Sequence, residues 1–158
     1  MSEIPSNIAA FLAGKRLAVA GVSRQSSAAA NAIYRKLRGA GFEVLPVNPN
    51  ATEVEGVRCY PTVTSIPGSI DGVVVATHPR AALEVVQQCA DKGVRQVWFH
   101  RSFGTGSVSD EAVKECRAHG IAAIVGGCPM MYVDPVDVPH RCVRWILGLS
   151  GRAPGADG

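Results

Sequence analysis

Gly21, Ser23 and Arg24 have the residue types and the spacing to hold a phosphate. They follow the apolar run 17–20 and lead into AAANAIYRKLRGAG, which has helical spacing. A strand, a tight turn and a helix in that order aim unpaired N–H groups and a positive dipole end at whatever lies over the turn. Glycine lets the main chain come close to a ligand, serine adds a hydroxyl, and arginine adds a planar fork that matches phosphate oxygens. A plain strand-to-helix turn is the competing reading of this stretch alone. Other reactive groups are scattered. His78 reads as a ligand contact or as the cap of a helix, and His100 with Arg101 as acid–base groups, anion-binding groups or a solvated loop. His119 and His140 fall at helix ends, where a hydrogen-bonding ring is routine. Asp134 and Asp137 have no histidine or further acid at ligand spacing, so no metal site is read there.

The totals bound what these groups can serve. The chain has 158 residues, 47% hydrophobic and 18% charged, which suits one domain over 1–150 with a disordered tail over 151–158. No apolar run nears the roughly 20 residues that span a bilayer. The N-terminus carries Glu3 where a signal peptide would be basic, so a cytoplasmic chain is expected, with no membrane partner. A net charge of +3 is too small an excess to indicate nucleic acid, though it suits a small polyanion. Five cysteines without a CxxC pair argue against a disulfide framework or a zinc site.

The elements that must position the reactive groups alternate. Strands are expected over 16–20, 42–47, 72–76, 95–99 and 121–125. Helices are expected over 27–40, 79–92, 110–119 and 139–149. A short N-terminal helix around Ile4, Ile8, Phe11 and Leu12 should cover one edge of the sheet. In the first of the long helices Ala29, Ile33 and Leu37 share a face; Trp98 and Trp145 read as core. Gly41-Phe42, Gly93-Val94 and Gly120-Ile121 each join a helix end directly to a strand. Joints this short imply right-handed crossovers and a parallel sheet. The expectation is a single α/β domain: a doubly wound, Rossmann-like sheet of five parallel strands in the order 3-2-1-4-5, with helices on both faces. Ligands then bind beyond the carboxyl ends of the strands, beside the first strand.

The residues expected at that edge are Gly21, Val22, Ser23 and Arg24 after the first strand and Val47, Asn48 and Pro49 after the second. Thr77, His78, Pro79 and Arg80 follow the third, His100, Arg101 and Ser102 the fourth, and Gly126, Gly127 and Cys128 the fifth. A nicotinamide dinucleotide is opposed on two counts. The spaced glycines after Gly21 are replaced by Ser23 and Ser26, and the second strand ends in Asn48 where an acid would grip the ribose.

The chain resembles the coenzyme A-binding domain proteins related to the N-terminal domain of the succinyl-CoA synthetase α subunit. The resemblance covers roughly residues 9–150. It rests on Ala20-Gly21-Val22-Ser23, Pro46-Val47-Asn48-Pro49, Tyr60-Pro61-Thr62-Val63 with Ile66-Pro67, Asp71-Gly72-Val73-Val74-Val75, Gly93 with Val97-Trp98, and Gly127-Cys128-Pro129. It implies coenzyme A or an acyl-CoA as the small-molecule ligand. Gly21, Val22, Ser23 and Arg24 would meet its phosphates, Val47, Asn48 and Pro49 its adenosine, and Ala76, Thr77, His78 and Pro79 its adenine or pantetheine. Arg24 and Arg80 would pair with phosphate, and a neutral Asn48 would not repel a ribose phosphate. A thiol at Cys128 could meet the thiol of the cofactor, although a small buried residue is the preferred reading there. The resemblance does not extend to the ligase's phosphorylated histidine. The expectation is therefore a coenzyme A-binding module with no catalysis of its own. An NAD(P)-dependent oxidoreductase and an interaction module with an unused pocket are the alternatives, and the sequence names no protein partner.

Overall fold

The computed structural model describes residues 4–101, 106–134, 140–141 and 155–156. The chain runs α1 (Ser6–Leu12), β1 (Arg16–Ala20), α2 (Ala29–Gly39), β2 (Glu43–Val47), β3 (Glu53–Val54), β4 (Val57–Arg58), β5 (Gly72–Val75), α3 (Pro79–Lys92), β6 (Gln96–Phe99), α4 (Asp110–Ala118), β7 (Ala122–Val125) and β8 (Gly155–Ala156). A single 3-10 turn, Pro129–Met131, follows β7.

One sheet has the order β2-β1-β5-β6-β7-β8. The pairings from β2 to β7 are all parallel, as expected for a doubly wound domain. The order among these five is 2-1-3-4-5, not the expected 3-2-1-4-5: the third strand, β5, lies beside β1 and not outside β2. Two physical reasons fix this. Val73, Val74 and Val75 are wholly buried, and a strand apolar on both faces has no stable place at an edge. Pro46 in β2 has no N–H to give a second neighbour, so β2 belongs at the edge. The switch in direction falls between β1 and β5, still beside the first strand.

Alternation along each strand feeds two cores. Ala18, Ala20, Val73, Val75, Val97 and Phe99 face α3 and α4, while Leu17, Val19, Val74, Trp98 and Ile124 face α1 and α2. Residue by residue, α2 differs from expectation. Ile33 and Leu37 are buried as expected, but Ala29 is exposed, and Ala30, Asn31 and Tyr34 complete the buried stripe. Likewise α1 covers a sheet face and not an edge: the Phe11 ring meets Trp98 edge-on, with centroids 5.5 Å apart. Gly72 makes room for that ring, since an added Cβ would stand 2.7 Å from Phe11 Cε2. Ser109 caps α4, with Asp110 and Glu111 in its first turn beside the positive helix end.

Within the expected disordered tail, Gly155–Ala156 instead pair antiparallel with β7, whose outer edge otherwise offers unpaired backbone groups. The rest of 151–158 lies outside the described residues. So does the expected helix 139–149, including Trp145, except His140 and Arg141, which are helical. No helix among the described residues is long and apolar enough to cross a membrane. Nor do the described residues contain a cluster of three or more side chains able to hold a metal.

Candidate functional site

The turn after β1 is held from several sides. The Gly21 N–H donates to Val47 O at 3.0 Å, and Ala20 O accepts from the Ala76 N–H at 2.9 Å, so the three strand ends are laced together. Gly21 has φ +103°, and a Cβ there would lie 2.8 Å from the Ala76 carbonyl carbon and closer still to its oxygen. Glycine is therefore demanded by the neighbouring strand end.

Asn48 closes the turn from β2. Its Nδ2 donates to Val22 O at 2.8 Å, and its Oδ1 accepts from the Asn50 N–H at 2.8 Å. Asn31 closes it from α2, with Oδ1 accepting from the Ser23 N–H and Nδ2 donating to Ser23 O, both at 2.7 Å. The Ser23 hydroxyl accepts from the Gln25 N–H at 3.0 Å. These bonds consume the amides of Gly21, Ser23 and Gln25. Among the described residues no protein acceptor takes the N–H of Arg24, Ser26 or Ser27, and no side chain caps the first turn of α2. The anion-binding potential thus lies at Arg24 to Ser27 and the start of α2, a few residues beyond Gly21.

Beside this loop, at the switch point between β1 and β5, is a cleft of about 240 Å³. Gly21, Val47, Asn48, Pro49 and Thr77 line it, as expected from the sequence, together with Pro61, Thr62, Ala81, Glu84 and Gln88, which were not anticipated. Two larger hollows, about 330 and 360 Å³, lie along the outer side of β2 and between Arg101 and α4. Neither touches the turn after β1. The smaller cleft is the candidate because, of these three, it is the one that touches the turn after β1, at the strand ends where α/β sheets bind ligands.

The other expected residues are placed as follows. Val22 is wholly buried, Ser23 is half-buried and Arg24 is exposed at the loop. Ala76 packs on the α2-side core. His78 caps α3, its Nδ1 accepting from the Arg80 N–H at 3.3 Å, with Pro79 in the first turn and Arg80 exposed. Thr77 O accepts from the buried Ser107 hydroxyl at 2.6 Å.

His100 and Arg101 do not join the cleft. Burial, then the charge of His140, lowers the His100 pKa, and the Arg101 N–H donates to Gly127 O at 2.8 Å. Ser102 lies outside the described residues. Cys128 is buried in the α2-side core, the preferred reading of it. Cys59 lies beside the turn after β2, its Sγ 3.8 Å from Asn48 O, and burial pushes its pKa up.

Asn31, Arg35 and Glu55 are the residues that sequence reasoning missed. A lone amide in the alanine-rich first turn of α2 was the available signal for Asn31. Nothing in the sequence singled out Glu55, which joins the site from the β3–β4 hairpin.

Residues 15–134 match the CoA binding domain family. The chain is 35% identical over 83 residues to an ADP-forming acetate–CoA ligase II of Archaeoglobus fulgidus, covering 51% of this chain and 12% of the ligase. It is 28% identical over 106 residues to the α subunit of an ADP-forming acetate–CoA ligase II of Pyrococcus furiosus, covering 66% of this chain and 23% of that subunit. The chain therefore spans less than a quarter of the length of these relatives. Among solved structures, a hypothetical protein from Pyrococcus horikoshii OT3 superposes with a TM-score of 0.72 at 31% identity, over 82% of this chain and 94% of the other. With the matched segment running from β1 past the last parallel strand, the chain belongs to the CoA binding domain family.

Proposed function

We propose that the chain binds coenzyme A or an acyl-CoA at the cleft between β1 and β5, as a binding module with no catalytic step of its own. The observation that carries this is the cleft at the strand ends lined by Gly21, Asn48 and Thr77, with the Arg24, Ser26 and Ser27 amides unpaired in the loop that follows Gly21. The cleft is smaller than the roughly 300–1,000 Å³ of sites that enclose a whole drug-sized ligand. It takes one end of a long ligand while the rest follows the loop.

Charge sets the direction. Among the described residues Glu84 is the only charged one lining the cleft, and Arg24 stands on the loop. A diphosphate belongs over the loop and a neutral part in the cleft. The membership in a CoA-binding family and a fold without a membrane-spanning helix among the described residues suit a cytoplasmic binder.

Calorimetric titration of the whole chain with coenzyme A, dephospho-coenzyme A and NAD+ tests the reading. Coenzyme A should bind and NAD+ should not. Arg24→Ala should weaken coenzyme A about tenfold, the lower end for a hydrogen bond to a charged group. Tight NAD+ binding with no heat from coenzyme A would overturn it.

A further inference from the structure

We propose that Glu55 is a positioning residue for the anion-binding loop, acting through Asn31 and Arg35. One oxygen of its carboxylate, Oε1, accepts from Asn31 Nδ2 at 2.8 Å and from Arg35 Nη1 at 2.7 Å. Each of those side chains then reaches the loop. Asn31 brackets the Ser23 peptide from both sides, and Arg35 Nη1 donates to Ser26 O at 2.9 Å. The two anchor points are three residues apart and enclose Arg24 and Gln25.

Asn31 is wholly buried, so its amide can be satisfied in only one orientation. Turned over, it would set NH2 against the Ser23 N–H and its oxygen against both Ser23 O and the carboxylate. A carboxylate accepts and never donates, so Glu55 enforces the correct orientation. With the Ser23 and Ser26 peptides fixed, the Arg24, Ser26 and Ser27 N–H groups are held outward before a ligand arrives. Preorganisation of this kind removes an ordering cost from binding.

The side chain of Glu55 is only 14% exposed, and its residue has φ +50°, a conformation unfavourable to glutamate. The hairpin turn Glu55-Gly56, with both φ values positive, is the geometry that tight two-residue turns require. It delivers the carboxylate to a site 24 residues away in sequence from Asn31.

The binding part of the test rests on the coenzyme A reading; the exchange part does not. Glu55→Gln keeps an acceptor oxygen, while Glu55→Gly removes the group and relieves the positive φ, so the hairpin should still fold. The full-length chain and both variants are compared by coenzyme A calorimetry and by hydrogen exchange of the Ser23 amide without ligand. Glu55→Gly should exchange at Ser23 and lose coenzyme A affinity by about tenfold each, while Glu55→Gln stays within about threefold of the parent. Unchanged Ser23 exchange in Glu55→Gly overturns the proposal, whether or not affinity falls. So does a Glu55→Gln variant as impaired as Glu55→Gly. If the parent chain binds no coenzyme A, the functional reading fails while Ser23 exchange still decides the role of Glu55.

Discussion

Replacing Gly21 by alanine should be among the most damaging single-methyl changes in the protein. The new Cβ would stand 2.8 Å from the Ala76 carbonyl carbon and 3.1 Å from Thr77 N, where ordinary contact begins at 3.4 Å. Those atoms are backbone at the end of β5, so no rotamer change can clear them. The backbone must also hold φ +103°, at about 1–3 kcal/mol for a residue with a side chain. Relief by separating β1 from β5 strains the Ala76–Ala20 hydrogen bond, which contributes about 1 kcal/mol. Together these give a loss of about 2–4 kcal/mol, a large part of the roughly 5–15 kcal/mol of a typical domain. Gly39→Ala is the matched control. It lies in α2 with nothing within 4 Å of an added Cβ, and should stabilise by about 0.5–1 kcal/mol. Urea unfolding of both variants measures the contrast. A Gly21→Ala loss below about 1 kcal/mol would show that the strand ends separate easily, and would refute the argument that this glycine is fixed by packing.

Asp71 accepts from the Arg16 and Lys15 N–H groups, both at 2.9 Å, and these bonds, that of Arg16 first, hold its carboxyl below the usual value. Its contribution is present above the ordinary value of about 3.9 and is lost as pH falls through the lower folded one, so Asp71→Asn should flatten the acid limb of a stability–pH curve; parallel curves for parent and variant would contradict this. Cys89 and Cys116 are fully buried, with pKa values pushed up to about 12 chiefly by that burial. Iodoacetamide at about pH 7.5 should label them only as fast as the chain unfolds, followed by peptide mass spectrometry, and rapid labelling under native conditions would count against the packing of α3 on α4.

The alternation of elements was open to reading because each signal is local. Runs such as Val73 to Val75 and joints such as Gly93-Val94 report their own conformation through side-chain type alone. Both ends of β1 and of α3 match the expected ranges residue for residue. The strand order was harder, because it depends on two facts that must be combined. Pro46 bars β2 from an inner position, and the all-valine run demands one for β5. The site divides in the same way. Gly21, Asn48, Pro49 and Thr77 follow from the rule that ligands meet strand ends. Glu84 and Gln88 reach the cleft from α3, and Glu55 reaches the loop from a hairpin, and both approaches are set only by tertiary packing.

Position 48 shows how closely the loop geometry and the ligand class are tied. In the dinucleotide version of this fold an acid at the end of the second strand grips ribose hydroxyls. Here the residue must donate, because Asn48 Nδ2 is what holds Val22 O and closes the turn. An ionised acid has no proton to give, and would set an oxygen against the Val22 carbonyl. Gripping a ribose with a carboxylate and tying the loop with an amide are therefore exclusive uses of one site. The choice of amide adds no charge of its own at the strand end. On the coenzyme A reading proposed above, the hydrogen bond that shapes the loop also keeps the carboxylate of the dinucleotide version out of this position.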